Sequence, residues 1–409
     1  MIQPLSKSSA GLDVHREIIV ATVLQEQPDG TVNKTVKEFA TFSRNLEELA
    51  RWLTSLNPEI VVMESTGVYW MQVYEALETA GMIPWVVNAY HIKRVPGRKT
   101  DVQDSEWLAE LARCGLLRAS FIPPKDFRQL RLLTRYRRKL SGVLSSEKNR
   151  LHKILESCGI KLGIVLSDID GVSARRIISS LIDETIQPDQ IAVLLHGSLL
   201  PKLMMIQQSL STTLNERQRF LLKQIQAHLL WLEARIEQID EQLVTAMVPY
   251  QEFCQLLQTI PGIDLIAATM LLAELGTDMS VFPNQQHLCS WAGLAPGNNE
   301  SAGKRKHGKT RKGNAHIRAL LCECANAAIK SKSQFKGRYQ GLVIRRGHKR
   351  SIVAIAHKLL QTIYVMLKKH EPYRDPQIDY EELVVKRNSA RWIKALDKYG
   401  YLPKIKLQN

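Results

Sequence analysis

Hydrophobic positions change rhythm near residue 120. Before it, short apolar runs alternate with stretches of helical spacing. Residues 18–24 are a β-branched run, part of 31–42 alternates apolar with polar, and 60–63 and 84–88 are short strands of the buried kind. Between and after them, 46–56, 68–79 and 105–113 space their apolar residues three and four apart, which predicts helices. Two early strands able to form a hairpin, followed by strand-helix-strand units, predict an α/β domain over residues 1–125 with a mixed sheet and helices on its faces.

From 127 to 155 the spacing is helical throughout, and a second long helix is expected over 215–247, stopped by Pro249. Within it Leu222, Ile225, Leu229, Leu232, Ile236, Ile239 and Leu243 recur at alternating spacings of three and four, the apolar seam of a coiled coil. Such a seam closes on the earlier helix of the same chain or on a second copy, and spacing does not separate the two; a homo-oligomer, dimer or tetramer, is the expectation. Shorter helices are expected over 159–210, completing a helical region over 126–250. A third region, 251–375, opens on Leu257-Gln258-Thr259-Ile260-Pro261-Gly262-Ile263 and an apolar helix over 265–275. This opening resembles half of a helix-hairpin-helix unit, whose turn offers amides to a phosphate; a tight turn capping a buried helix reads equally well. Helices follow over 317–330 and 352–369, and 376–409 reads as a polar tail without a motif.

Charge sharpens this division. Lys and Arg number 56 against 40 Asp and Glu, a formal net charge of +16, so a polyanionic partner is the first expectation. Between 301 and 350 there are 15 Lys/Arg and one acid, Glu323, while 125–150 holds nine against Asp126 and Glu147. The first block mixes Gly303, Gly308 and Gly313 with Lys304, Arg305, Lys306, Lys309, Arg311 and Lys312, bringing pliable backbone and cations together as phosphates require. Arg345 and Arg346 are expected to track a nucleic-acid backbone, because a basic patch without aromatics reads charge rather than sequence. No apolar run reaches the roughly 18 residues of a membrane span, and residues 1–9 lack the apolar core of a secretory signal, so a cytoplasmic location without a membrane partner is expected. The six cysteines form no C-x-x-C pair, which disfavours structural zinc and a disulfide framework.

Candidate chemistry lies in the acids. Gly11-Leu12-Asp13 is expected to open the first strand, and Glu64 ends the strand over 60–63. On neighbouring strands the two would share one cleft. Asp101 and Asp104, three apart, lead into a helix and share a face of its first turn. Singly, each acid also reads as a turn residue, a cap or a dipole-favoured charge. Together they form an oxygen-rich, sulfur-free set suited to Mg²⁺ or Mn²⁺, ions that in pairs activate a nucleophile and stabilise a leaving oxygen in phosphoryl transfer.

Three segments, Gly11-Leu12-Asp13-Val14-His15, Val62-Met63-Glu64-Ser65-Thr66-Gly67 and Lys99-Thr100-Asp101-Val102-Gln103-Asp104-Ser105, resemble in order and spacing the motifs of the DEDD transposases of bacterial insertion sequences, relatives of Piv-type DNA invertases. The run from Gly293-Leu294-Ala295-Pro296 through Ser301 to Lys304, followed by Arg311-Lys312-Gly313-Asn314 and Arg318, is similar to that family's second signature. The resemblance covers residues 11 to about 370. It implies a ribonuclease-H-like (RuvC-like) domain akin to Holliday-junction resolvases, a helical coiled-coil insertion and a small helical transposase domain. It also implies that Asp13, Glu64, Asp101 and Asp104 bind the metal and that Ser301 is the nucleophile attacking a DNA phosphate. Lys304, Arg305, Lys306, Lys309, Arg311, Lys312 and Arg318 would then join Arg345 and Arg346 in binding nucleic acid. Donor and target duplex DNA and a structured noncoding guide RNA are the implied partners. A serine hydroxyl alone is a poor nucleophile, and the carboxylate cluster of the same or another chain is its expected activator. Two alternatives stand beside this reading: a junction-resolving metal-dependent nuclease that needs no serine, and a non-catalytic nucleic-acid-binding scaffold.

Overall fold

The structure, a computed structural model, describes residues 4–65, 67–88, 104–185, 188–297, 299–301, 303–307, 310, 312–376 and 380–401. Its contacts divide the chain into two compact units, residues 1–125 and 126–409.

The first unit is built on five strands: β1 (Ser8–Val14), β2 (Ile18–Glu26), β3 (Val32–Ala40), β4 (Ile60–Glu64) and β5 (Trp85–Val87), in the order β3-β2-β1-β4-β5. β1, β2 and β3 pair antiparallel, whereas β4 runs parallel to β1 and β5 parallel to β4. Helices α1 (Ser43–Leu56) and α2 (Trp70–Thr79) cover one face, where Ala10, Leu12, Val61 and Met63 meet Leu49, Leu53 and Leu77. Helix α3 (Asp104–Arg113) covers the other, with Val62 and Val87 against Leu108 and Leu111. This mixed sheet between helical layers is the ribonuclease-H-like architecture that the sequence resemblance implied.

One expectation is corrected. Asp13 does not open a strand; it stands near the end of β1, a strand of its own lying antiparallel to β2. Ser8, Ser9, Ala10 and Gly11 give β1 little strand propensity, but their small size is what the packing needs. Ser9 donates to the Ala109 carbonyl at 2.7 Å, and a Cβ added to Gly11 would fall 2.0 Å from the Ser105 carbonyl oxygen. The side chains of Thr22 and Ser105, 2.8 Å apart, join β2 to the start of α3. Thus α3 lies almost backbone to backbone on β1.

The second unit is helical: α4 (Lys125–Ser157), α5 (Leu162–Val165), α6 (Val172–Asp183), α7 (Leu203–Ser209), α8 (Glu216–Ala246), α9 (Gln251–Gln258), α10 (Leu265–Leu275), α11 (Gln285–Trp291), α12 (Ala315–Ala328), α13 (Gln334–Arg346), α14 (His348–Lys369) and α15 (Tyr380–Lys398), with a two-stranded hairpin β6 (Asn299–Ser301) and β7 (Lys304–His307). Asn215 opens α8 with a reciprocal capping box to Gln218. The α8 seam turns inward: Leu222, Ile225 and Leu229 pack with Leu151 and Leu155 of α4 and with Ile177 and Ile178 of α6. Arg137 of α4 pairs with Asp240 of α8 further along. Ile236 and Ile239 remain half-buried. All six cysteines are free. Among the described residues no helix is long and apolar enough to cross a membrane.

Two sequence readings change here. The stretch read as a polar tail carries α15, which packs on α13. The turn between α9 and α10 closes against α12: Gly262, at φ 88°, would place a Cβ 2.5 Å from the Ala328 nitrogen. The α10 N-terminus is capped by the Asp264 carboxylate, which accepts from the Ala267 amide at 2.7 Å. A built-in carboxylate thus caps α10, as a tight turn before a buried helix requires.

Because the Gly11 approach is to backbone, Gly11→Ala is expected to destabilise the protein by about 1–3 kcal/mol through overpacking. Denaturant unfolding of the full chain checks this, and an unchanged midpoint would contradict the close approach of α3.

Candidate active site

The two units each carry one part of the candidate chemistry. In the first, the parallel register pairs Gly11 with Val62 and Leu12 with Met63. The next residue on each strand is Asp13 and Glu64, so the two acids stand level at the carboxyl ends of adjacent strands. By alternation they share the face of Gly11 and Val62, the face that α3 covers. Helix α3 runs antiparallel to β1, since Ser105 lies over Gly11, Ala109 is bonded to Ser9, and the Arg113 carbonyl accepts from the Leu5 and Ser6 amides. Its N-terminus and Asp104 therefore emerge at the same end of the sheet as Asp13 and Glu64. The carboxyl ends of parallel strands beside a switch in strand order are where open α/β sheets bind ligands. Asp13 and Glu64 are half-buried, and Asp104 is exposed.

Asp13 has one neighbour that the sequence reading did not assign: His15, whose Nε2 lies 2.9 Å from Asp13 Oδ2. Asp101 lies outside the described residues. Among the described residues no three His, Cys, Asp or Glu side chains form a group able to hold a metal ion. Asp13, Glu64 and Asp104, placed at this end of the sheet, offer carboxylate oxygens, the ligand type of hard divalent cations.

In the second unit Ser301 ends β6. Its register partner is Lys304, the first residue of β7, and Gly303, at φ 72°, makes the turn between them. Glu300 pairs with Arg305, and an irregularity follows Asn299. The segment whose glycines and cations suggested pliable backbone thus holds a hairpin with Ser301 beside its tip. β7 carries Lys304, Arg305 and Lys306; Lys309 and Arg311 lie outside the described residues. Lys312 is exposed on the returning chain, Arg318 is half-buried on α12, and Arg345 and Arg346 are exposed on the last turn of α13.

The base of the hairpin is clamped. Pro296 and Thr310 form an antiparallel bridge. The Asn314 amide donates to the Trp291 carbonyl at 3.0 Å, and a Cβ on Gly313 would fall 2.2 Å from the Gly293 nitrogen. Gly293 itself sits at φ 69°, a conformation that glycine adopts without penalty. Both halves of the second sequence signature therefore meet backbone to backbone.

Below the clamp lies Glu274 of α10, only 2% exposed. Its Oε1 accepts from Arg135 Nε at 2.9 Å, and its Oε2 accepts from Arg135 Nη2 at 3.1 Å and from Asn314 Nδ2 at 2.7 Å. Arg131 Nε stands 3.3 Å from the same Oε2 and also donates to the Ala273 carbonyl. Asn314 is bonded on its other side too, Oδ1 capping α12 by accepting from the His316 and Ile317 amides. Burial alone would raise the Glu274 carboxyl, but the Arg135 hydrogen bond and the charges of Arg131 and Arg135 hold it below the usual glutamate range. Burial pushes the Arg131 guanidinium down to about 10, against the pull of Glu274, so it stays charged at neutral pH. Burial also lowers His316, helped by the charge of Arg135, which favours its neutral imidazole. Sequence reading passed over Glu274; the one available signal was an acid inside an otherwise apolar helix.

Comparison with known proteins adds the following. Residues 10–160 match the family model of IS110-type DEDD transposases, described as "Transposase". Residues 254–340 match a second, described as "Transposase IS116/IS110/IS902 family". The transposase for insertion sequence element IS1111A of Coxiella burnetii (strain RSA 493 / Nine Mile phase I) is 26% identical over 332 residues, 79% of this chain and 81% of its own. The transposase for insertion sequence element IS1328 of Yersinia enterocolitica is 24% identical over 326 residues, 78% and 86% respectively. Among solved structures, the Thermus thermophilus RuvC structure covers 28% of this chain and 99% of its own, at 14% identity and a TM-score of 0.22.

Removing the Glu274 charge strands two arginines at a buried position. Glu274→Gln is expected to cost about 3–5 kcal/mol in the unfolding of the second unit. The unfolded carboxyl takes up a proton before the folded one, so this contribution is complete above the ordinary glutamate range and is lost as the pH falls below it. Denaturant unfolding at pH 7 and pH 4 reads both effects; a variant as stable as the parent at pH 7 would contradict the assignment.

Proposed function

Because the chain belongs to the IS110/IS1111 family of DEDD transposases, we propose that it cuts and rejoins DNA through a covalent link to Ser301, with Asp13, Glu64, Asp101 and Asp104 holding Mg²⁺ (or Mn²⁺). The chain is an insertion-sequence transposase and an enzyme; its substrate class is DNA, and its family implies a divalent metal. What supports the finer reading is the local placement of the two signatures. Acids stand level at the carboxyl end of a ribonuclease-H-like sheet, and Ser301 sits beside the tip of a hairpin whose base is clamped.

The Ser301 hydroxyl attacks a backbone phosphorus; the Oγ–P bond forms as a P–O bond of the strand breaks. The hydroxyl proton leaves, the departing strand oxygen gains one, and the phosphoester energy is kept in the protein link. Attack by a hydroxyl of a second strand reverses the step and joins the strands. Asp13, Glu64, Asp101 and Asp104 would hold a hard divalent cation, which when bound would supply charge stabilisation to a phosphoryl group. Lys304 and the cations that follow it in sequence would supply positive charge to offset the charge developing on the phosphate. Lys304, Arg305, Lys306, Lys309, Arg311, Lys312, Arg318, Arg345 and Arg346 bind the sugar-phosphate backbone rather than bases.

Residues 1–125 form the carboxylate domain, 126–250 the coiled-coil region and 251–375 the serine-bearing domain, followed over 376–409 by the segment that carries α15. Donor and target duplexes are the DNA partners. An element-encoded structured RNA supplies sequence specificity by base pairing, a division that suits a basic surface reading charge. The working form is a homo-oligomer in the bacterial cytoplasm.

Asp13→Asn, Glu64→Gln and Ser301→Ala are each expected to lower recombination between donor and target duplexes by at least about 100-fold. Duplex binding should stay within a few-fold of the parent. Near-parental recombination by either acid variant would remove the metal site, and by Ser301→Ala the nucleophile.

A further inference from the structure

Helices α13 and α14 meet at a corner that carries an exposed isoleucine among cations. Gly347 makes the turn at φ 71°, a conformation that a side chain would strain. Its amide donates to the Val343 carbonyl at 2.8 Å, and its own carbonyl accepts from the Ser351 hydroxyl at 2.8 Å. Across the turn Tyr339 Oη and His348 Nδ1 lie 2.9 Å apart. Beyond it Ser351, Ile352 and Ile355 are buried, so the first turns of α14 are anchored in the core. The backbone of the corner is therefore fixed, and it holds out Ile344, Arg345, Arg346, His348, Lys349 and Arg350, all exposed. Ile344 is 88% exposed, more than any other large apolar side chain among the described residues. A scattered exposed isoleucine needs no partner. This one is bracketed, with Arg345 and Arg346 before Gly347 and Lys349 and Arg350 after it. Charge of that density repels an ordinary apolar surface and draws a polyanion.

We propose that Ile344 is a wedge that enters the minor groove of duplex DNA and partly unstacks one base step while the cations around it hold phosphates of the two strands, a proposal that rests on the reading of the chain as a DNA-cutting transposase. The cations favour DNA over a protein partner. Width favours the minor groove: it is about 6 Å across against about 12 Å for the major, so cations on both sides of one short side chain reach both strands there. Isoleucine offers no hydrogen bond, and the minor groove presents no methyl group to it, so its gain comes from filling the space between two unstacked bases. Entry costs unstacking free energy, which the neighbouring phosphate contacts offset, and a corner fixed before binding loses little on ordering. Steps that unstack easily, such as TA and CA, then bind better than stiff A-tracts. The corner thus adds a preference for deformable sequence to a surface whose cations alone read charge.

The test is binding of two duplexes of about 30 base pairs by the full chain, one fully paired and one with a single central mismatch, read by fluorescence anisotropy across a salt series. The parent is expected to bind the mismatched duplex about 5-fold more tightly, because part of the unstacking is already done. Ile344→Ala should bind the two duplexes within about twofold of each other, and the mismatched one about 5- to 10-fold more weakly than the parent does near 100 mM salt, with an unchanged slope of log K against log salt, since no charge is removed. Ile344→Leu keeps an apolar wedge and should keep the preference. Arg345→Gln should keep it too, while weakening both duplexes and making the slope shallower by about one. Val193→Ala, which trims a similarly exposed side chain between α6 and α7, should match the parent. Thermal unfolding of Ile344→Ala should be unchanged, because the side chain is exposed. A parent without the preference, or an Ile344→Ala protein that retains it, would overturn the wedge. Equal loss of the preference in Ile344→Leu and Ile344→Ala would overturn it as well, as would a shallower slope in Ile344→Ala. Weaker binding of Ile344→Ala to a structured RNA, with both duplexes bound as by the parent, would overturn the DNA assignment. A parent that recombines DNA without preferring the mismatched duplex refutes the wedge alone; a parent that binds no duplex refutes the transposase reading with it.

Discussion

The buried carboxylate of Glu274 ties three helices of the helical unit together. Glu274 sits on a helix whose residues 268–275 are all buried, where an unpaired charge would cost several kcal/mol. Arg131 and Arg135 from α4 and Asn314 from the start of α12 satisfy it, so three helices distant in sequence are held at one point. The pairing is not a large source of net stability, because the guanidinium groups lose hydration as well. Its weight lies in what breaking it would leave: two arginines and an acid with nowhere to go. Asn314 is the member with a second task, since it caps α12 and ends the chain's return from the Ser301 hairpin.

The sheet unit meets the same need for close positioning without charge. Gly11 has no Cβ, so α3 descends onto β1 and its N-terminus emerges where Asp13 and Glu64 end their strands. Gly313 against Gly293 does the corresponding work under the hairpin. In both places a side chain as small as alanine would push apart backbones whose spacing sets where the functional residues stand. Side chains of moderate size elsewhere in the cores tolerate exchange far better, because they have neighbours that can move.

How far the sequence could be read depended on the range of the interactions involved. The strands at 18–24, 60–63 and 84–88 and the helices at 46–56 and 68–79 were legible because local periodicity and burial agree there. β1 was not, since its serines, alanine and glycine answer to α3, about a hundred residues away. The hairpin read as a loop because lysine, arginine and glycine have little strand propensity, and its strands are fixed by backbone pairing at the base. Glu274 was invisible as a hub: its arginine partners lie 139 and 143 residues earlier, and a lone acid says nothing of what it meets. The acids at 13, 64 and 104 were legible as a set, whereas their arrangement required the register of β1 on β4 and the direction of α3. The α8 seam was legible as apolar, and the structure closes much of it within the chain on α4 and α6.

In the proposed mechanism the hairpin held over Glu274 carries the atom that takes the DNA strand. The most direct measurement traps the unmodified protein with its donor DNA, denatures the complex, digests both components and sequences the peptide that retains a nucleotide. A phosphodiester is expected on the peptide containing Ser301 and on no other. A nucleotide carried by a different residue, or recombination in full yield with no protein-linked DNA at any time, would contradict it.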